Sequence, residues 1–325
     1  MNQLIFSNSF NKQCHILSTD KLPDDNKEYI YIISKKKKGK IHYKNELLIE
    51  DAEDNITLNN FYYLLQYIRS SDLNKIFVIG DNPLFNLVGY ISSSLLSIKR
   101  LVMMPTTAFS QVFLKIDGEF FLNYEEEKNV LGNIGMPDII YIYPELSFDE
   151  KKLKLVNLIS IINVSISSDM KLFYYLMNNY EKGTLTIDNY RYMIWLAVKD
   201  YTRLISDDRY PVGVNFAKYI QNIYRLKVSN EVSMAFGTLF SIWLSYNYGI
   251  IEHDFCKELI FKIKKDWINT WFYRIDHTSF FDFFKKNKIL EFNIPTFPGM
   301  RKISLDYNDF KRIYKNSGIR MESFM

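Results

Sequence analysis

KIFVIGDNPLFNLVGYISSSLLSIKRLVMMPTT, residues 75–107, decides the fold. Lys75-Ile76-Phe77-Val78-Ile79 is a short apolar run rich in β-branched and aromatic residues that stops at Gly80, so it reads as a buried strand. Leu84 to Leu96 carries apolar residues at helical spacing, and Arg100 to Met104 is a second apolar strand, ended by Pro105. Strand, helix and strand with short joints describe a parallel sheet built with right-handed crossovers. Toward the N-terminus, Tyr29 to Ile33 adds a strand and Leu58 to Ser70 an amphipathic helix. From about Asp149 the pattern changes to long apolar-periodic segments at 150–180, 187–205, 212–225, 230–249 and 254–272, all read as helices. The expected architecture is an α/β domain with a mainly parallel sheet over residues 1–148, followed by an all-α domain over residues 149–325.

Composition narrows the function classes. Of 325 residues, 47% are hydrophobic and 24% charged, and the longest apolar runs, such as Phe236 to Leu244, are too short to cross a bilayer. Met1 to Phe10 has no basic start followed by an apolar stretch, so the expectation is a cytoplasmic protein with no membrane partner. Cys14 and Cys256 fit neither a disulfide framework nor a paired-cysteine zinc spacing, and both read as reduced and structural. A net charge of +4, from 41 basic and 37 acidic residues, gives no nucleic-acid signature. Its densest source, Lys35-Lys36-Lys37-Lys38-Gly39-Lys40, lies between the strand at 29–33 and Ile41-His42-Tyr43 and reads as a solvated hairpin turn.

A more specific pattern runs from Gly80 to Pro137. Gly80, Gly89, Pro105-Thr106-Thr107, Gln111-Val112, Gly118, Asn123, Lys128-Asn129, Gly132 and Pro137 fall in one ungapped register. In that register the stretch resembles the 3-dehydroquinate synthase family of sugar-phosphate cyclases. Glu53, Asp169 with Phe173 and Leu176, Gly213 with Phe216 and Ile220, and Lys285-Lys286-Asn287 extend the likeness over roughly residues 45 to 295. The resemblance implies an N-terminal NAD-binding domain, a helical metal-binding domain, a sugar-phosphate substrate between them and a dimer-forming habit. In that chemistry NAD transiently oxidises a substrate hydroxyl, phosphate is eliminated, the carbonyl is reduced again and the ring closes, with zinc polarising the oxygens. Such a zinc needs three protein ligands and an open position.

Carried over residue by residue, the family's zinc ligands are missing. Its helical Glu falls on Ser160, with Asn163 at a neighbouring Lys; its two His ligands fall on Val214 and on Ser229 or Asn230. None of these is a carboxylate or imidazole, which argues against zinc. The family's triple-glycine turn, which admits a pyrophosphate because no Cβ intervenes, is here Gly80-Asp81-Asn82-Pro83, and Asp81 brings a negative charge toward it. Phe113, Glu119 and Ser97 stand where the family has Asp, Lys and Arg.

The candidate positions are Glu53, Gly80, Asp81, Thr106 and Thr107 as a cofactor set, and Lys128, Asn129, Arg209 and Lys285 as a substrate or anion set. Arg209 is near a family Arg but out of register with it. Structural readings compete at each. Pro105-Thr106-Thr107 would stop a strand and cap the next segment, and Lys128-Asn129 after Glu125-Glu126-Glu127 would suit an i,i+3 ion pair and a helix start. His253 with Cys256, and His277, read as structural. No catalytic residue is assigned, and NAD stays open as a cofactor. Two functions are expected: a non-catalytic partner or scaffold subunit, as a homodimer or in a heteromer with a pathway enzyme, or a repurposed enzyme or binder of a small anionic ligand such as a phosphorylated sugar.

Overall fold

The computed structural model describes residues 2–7, 12–125, 127–149, 153–224, 228–264, 277–287 and 289–321. In chain order the first part contains β1 (Gln3–Ser7), β2 (Gln13–Ser18), β3 (Tyr29–Ser34), β4 (Glu46–Ile49), α1 (Leu58–Ser70), β5 (Lys75–Gly80), α2 (Asn82–Ser94), β6 (Arg100–Pro105), α3 (Ala108–Val112), β7 (Glu119–Tyr124), β8 (Glu127–Ile134) and β9 (Ile139–Ile142). The rest contains α4 (Ile159–Ser167), α5 (Lys171–Glu181), α6 (Ile187–Ser206), α7 (Val214–Ile223), α8 (Asn230–Asn247), α9 (His253–Lys264), α10 (His277–Lys286), β10 (Leu290–Pro295), β11 (Met300–Leu305) and α11 (Tyr307–Asn316).

Seven strands form one sheet in the order β1-β2-β9-β6-β5-β3-β4. Every neighbouring pair is parallel except β1 with β2. All six residues of β3 are buried, as expected of a parallel strand covered on both faces. The chain runs from β3 outward to β4, returns past β3 to β5, and continues outward to β6 and β9. Its direction therefore reverses between β3 and β5. In an open α/β sheet the crevice at the carboxyl ends of the strands flanking such a reversal is where ligands bind.

The lysine run is not a hairpin turn, although Lys35, Lys36, Lys38 and Lys40 are exposed. β3 pairs in parallel with β4, not with 41–43, and Lys35–Lys37 makes one 3₁₀ turn. Tyr43 folds back instead to stack on Tyr31, with ring centroids 4.0 Å apart. Lys36 Nζ donates to the Asp51 carbonyl at 2.6 Å, and the half-buried Lys37 donates to the carbonyls of Thr106 at 3.3 Å and Leu146 at 3.0 Å. Two lysines thus pin the end of β3 to the loops after β4, β6 and β9. A turn-like run between two β-rich stretches gives a hairpin signal in sequence, but it does not say which strand is the partner.

The chain divides into two compact units, Met1–Asp149 with Ile187–Asp208, and Glu150–Thr186 with Arg209–Met325. This differs from the expected cut at 148/149, because α6 belongs to the first unit. Its Tyr190 is fully buried and its hydroxyl lies 2.8 Å from Ser147 Oγ. Arg191 Nε bonds Glu145 at 2.8 Å, and the Tyr201 ring meets Phe113 edge-on at 5.3 Å. The second unit is helical, as read, with the addition of the antiparallel hairpin β10–β11. The alternation Leu290, Phe292, Ile294, buried between more exposed Glu291 and Asn293, is the sequence signal for that hairpin. Phe216, Phe240, Phe284, Phe292 and Phe310 pack into the core of this unit, with Phe216–Phe240 stacked at 3.8 Å and Phe284–Phe310 at 4.1 Å. The long reading over 150–180 is broken at Met170, whose φ of +65° separates α4 from α5. No helix among the described residues is long and apolar enough to cross a membrane.

Candidate functional site

Where β5 ends and α2 begins, backbone amides point out of the first turn and call for an acceptor. The chain supplies one. Asp51, on the loop after β4 and 1% exposed, accepts the Asp81 N–H at Oδ2, 2.7 Å, and the Leu84 N–H at Oδ1, 3.1 Å. A Cβ on Gly80 would meet Asp51 Oδ2 and Leu84 Cδ2 at 2.8 Å, so this turn closes around the carboxylate because residue 80 is glycine. Asp81 extends its own carboxylate to the loop after β6, where Oδ1 accepts the hydroxyls of Thr106 at 3.2 Å and Thr107 at 2.9 Å. Thr107 also caps α3, accepting the Ser110 N–H at 3.2 Å. Burial, with the Asp81 charge beside it, raises the Asp51 carboxyl to about 6, against the opposing effects of the two amide bonds and Lys36. Burial lowers the Lys37 ammonium, partly offset by Asp81.

The first cofactor-set residues, Gly80, Asp81, Thr106 and Thr107, are thus brought together at the carboxyl edge of the sheet. Sequence reasoning missed Asp51. A carboxylate directly after the short strand 46–49, at the edge where the loops gather, was the available signal.

Glu53 belongs to a different grouping. Its Oε1 lies 3.0 Å from Lys128 Nζ, with the two side chains 15% and 10% exposed. Asn123 Nδ2 donates to the Glu53 carbonyl at 2.8 Å, and Asn123 Oδ1 accepts the Asn129 N–H at 3.0 Å. Lys128 and Asn129 lie on β8, so the helix start read for this pair is replaced by a strand, with Asn129 at φ +59°. Lys128 also forms an ion pair across the fold, with Glu53. Arg209 and Lys285 are exposed and belong to the second unit, whereas Lys128 and Asn129 belong to the first.

The positions matched to zinc ligands are neutral, and a hydrogen-bond network centred on Asn163 lies beside them. Ser160 and Asn163 are fully buried on α4, one turn apart. Asn163 Nδ2 donates to the Val212 carbonyl at 2.6 Å and to Thr238 Oγ1 at 2.8 Å. Ser167 Oγ donates to the Asn163 carbonyl and accepts the Val212 N–H. Val214 opens α7. Ser229 caps α8 by accepting the Val232 N–H at 3.3 Å, and Asn230 Oδ1 accepts from Gln221 at 2.6 Å. Gly213, at φ +76°, packs directly on Gly237. Among the described residues no three His, Cys, Asp or Glu side chains gather where a metal could sit. A zinc ion does not fit these donors. His253 pairs with Asp254 at 3.1 Å, while Cys256 and Cys14 are buried with thiols pushed up to about 12, chiefly by burial.

Residues 46–153 match the model of the 3-dehydroquinate synthase N-terminal region. The 3-dehydroquinate synthase of Clostridium tetani is 23% identical over 302 residues, 86% of this chain and 78% of that protein. These matches support the dehydroquinate synthase-like family of sugar-phosphate cyclases as the chain's relatives. Another cyclase-family relative, the bifunctional shikimate kinase/3-dehydroquinate synthase of Thermotoga maritima, is 24% identical over 255 residues, 74% of this chain; the chain spans about half of that protein, 51%. The cyclase fold extends over nearly the whole chain: a structure of 2-deoxy-scyllo-inosose synthase complexed with carbaglucose-6-phosphate, NAD+ and Co2+ superposes with a TM-score of 0.77 at 11% identity, covering 96% of this chain and 99% of that one. On this fold, the chain places the Asp51–Asp81 cluster at the sheet's carboxyl edge and the Asn163 network beside the positions matched to zinc ligands.

Proposed function

We propose that this chain is a cyclase-family protein without zinc-dependent cyclase activity, working as a non-catalytic partner subunit, with itself or with an active enzyme of a biosynthetic pathway. One observation carries the reading. At the family's metal positions stand Ser160, Val214 and Ser229 or Asn230, and the amide nitrogen of the neighbouring Asn163 donates to the Val212 carbonyl and to Thr238 Oγ1, with no charged group among them. Lewis-acid assistance to a carbonyl or a leaving phosphate needs three anionic or imidazole donors, and a hydroxyl, a methyl group and an amide do not substitute for them. The anion-binding alternative is weakened by Lys128, whose ammonium is held by Glu53 within the first unit. The scaffold itself is preserved, which is what a partner subunit needs.

The test combines metal content, turnover and assembly. Elemental analysis after dialysis should find well under one zinc per chain, and no cyclised product should form from a seven-carbon sugar phosphate with NAD and zinc supplied. Affinity purification from the native host should recover a second protein or a second copy at a fixed ratio. One tightly held zinc per chain, or turnover of the sugar phosphate, would overturn the reading.

A further inference from the structure

We infer that the anion hole at the start of α2 is filled by the chain's own carboxylates, and that this closes the first unit to a dinucleotide pyrophosphate. The inference is independent of the zinc positions, which lie on other residues. A helix N-terminus attracts a phosphate because its first amides are unpaired and carry partial positive charge. Here the amides of Asp81 and Leu84 are both taken by Asp51, at 2.7 and 3.1 Å, so the acceptor a pyrophosphate would supply is already present. The hydroxyls of Thr106 and Thr107, the other donors on this edge, both go to Asp81 Oδ1.

The cations facing the cluster are committed as well. Lys36 Nζ is held by the Asp51 carbonyl and Lys37 Nζ by the carbonyls of Thr106 and Leu146, so each contributes charge that balances the two aspartates. An incoming pyrophosphate would meet two carboxylates where it needs donors, and like charges so placed repel. Steric closure acts in the same direction. Asp51 is 1% exposed and in contact range of the space a Cβ on Gly80 would take, so no gap is left between the turn and the carboxylate.

The experiment titrates the full-length chain at neutral pH with NAD and, separately, with inorganic pyrophosphate. The wild-type chain should show no saturable binding of either below millimolar concentration. The double variant Asp51→Ala/Asp81→Gly, which exposes the amides and the threonine hydroxyls, should bind pyrophosphate at least about tenfold more tightly than wild type. Equal affinity of variant and wild type, or micromolar NAD binding by wild type, would overturn the inference. Should the double variant not fold, amide hydrogen exchange on the wild-type chain decides: the Asp81 and Leu84 amides should exchange slowly alone and be unchanged by NAD, whereas NAD-dependent slowing at these two amides would refute the closure. NAD binding by a zinc-free chain would sink this inference while leaving the zinc-free reading intact, and stoichiometric zinc without NAD binding would do the reverse.

Discussion

Replacing Lys128 by Ala removes the cation from a pair whose side chains are 10% and 15% exposed, and leaves the Glu53 carboxylate without it. Breaking a buried pair by removing one partner costs about 3–5 kcal/mol, and because both groups keep some exposure the lower end, about 3 kcal/mol, is expected here. A structural unit of this size loses about 2–4 °C of Tm per kcal/mol, so the variant should melt roughly 6–12 °C lower. The assay is urea denaturation of Lys128→Ala, Glu53→Gln and the double variant Lys128→Ala/Glu53→Gln, analysed as a cycle. The double variant should cost clearly less than the two single variants added together, since it leaves no uncompensated charge. A Lys128→Ala chain within about 0.5 kcal/mol of wild type would show that the pair is screened by solvent and that Lys128 has another task. Additive losses would show that the two residues act separately. Either result would return Lys128 to the position of a cation available for a ligand.

Two further perturbations probe the remaining parts of the site. Gly213→Ala places a side chain at φ +76° and drives its Cβ to 2.3 Å from the Gly237 carbonyl carbon, so it should destabilise by upward of about 3 kcal/mol, read by chemical denaturation; a loss under about 1 kcal/mol would mean that α7 and α8 have room to separate. The Asp51 carboxyl is raised from its ordinary 3.8 to about 6, so the folded state binds more protons than the unfolded one between those values, and Asp51 should favour folding fully below about pH 4 and lose that contribution as pH rises through about 6. Asp51→Asn should remove this component of the pH–stability curve, and an unchanged curve would mean that Asp51 ionises as an exposed carboxylate does.

The stretch 75–107 carries the fold because its information is local. Short apolar runs rich in β-branched residues and ended by Gly or Pro read as strands from local signals, and helical spacing over 58–70 reproduces α1 to the residue. Residue type is likewise legible: no packing turns Val214 or Ser160 into an imidazole or a carboxylate. Asp81 reads correctly as an anion at the start of α2, but its partner Asp51 lies 30 positions earlier and meets it only because β4 and β5 flank β3 in the sheet. Glu53 and Lys128, 75 positions apart, read in sequence as members of two different sites, one for cofactor and one for substrate, and the fold joins them in one ion pair. The lysine run misleads for the same reason, because its partners are carbonyls on three separate loops, and α6 changes units through the contacts of Tyr190, Arg191 and Tyr201. Type and periodicity are properties of neighbours along the chain. Which carboxylate meets which amide, and which cation is already committed, depends on strand order, and strand order is decided by burying many surfaces at once.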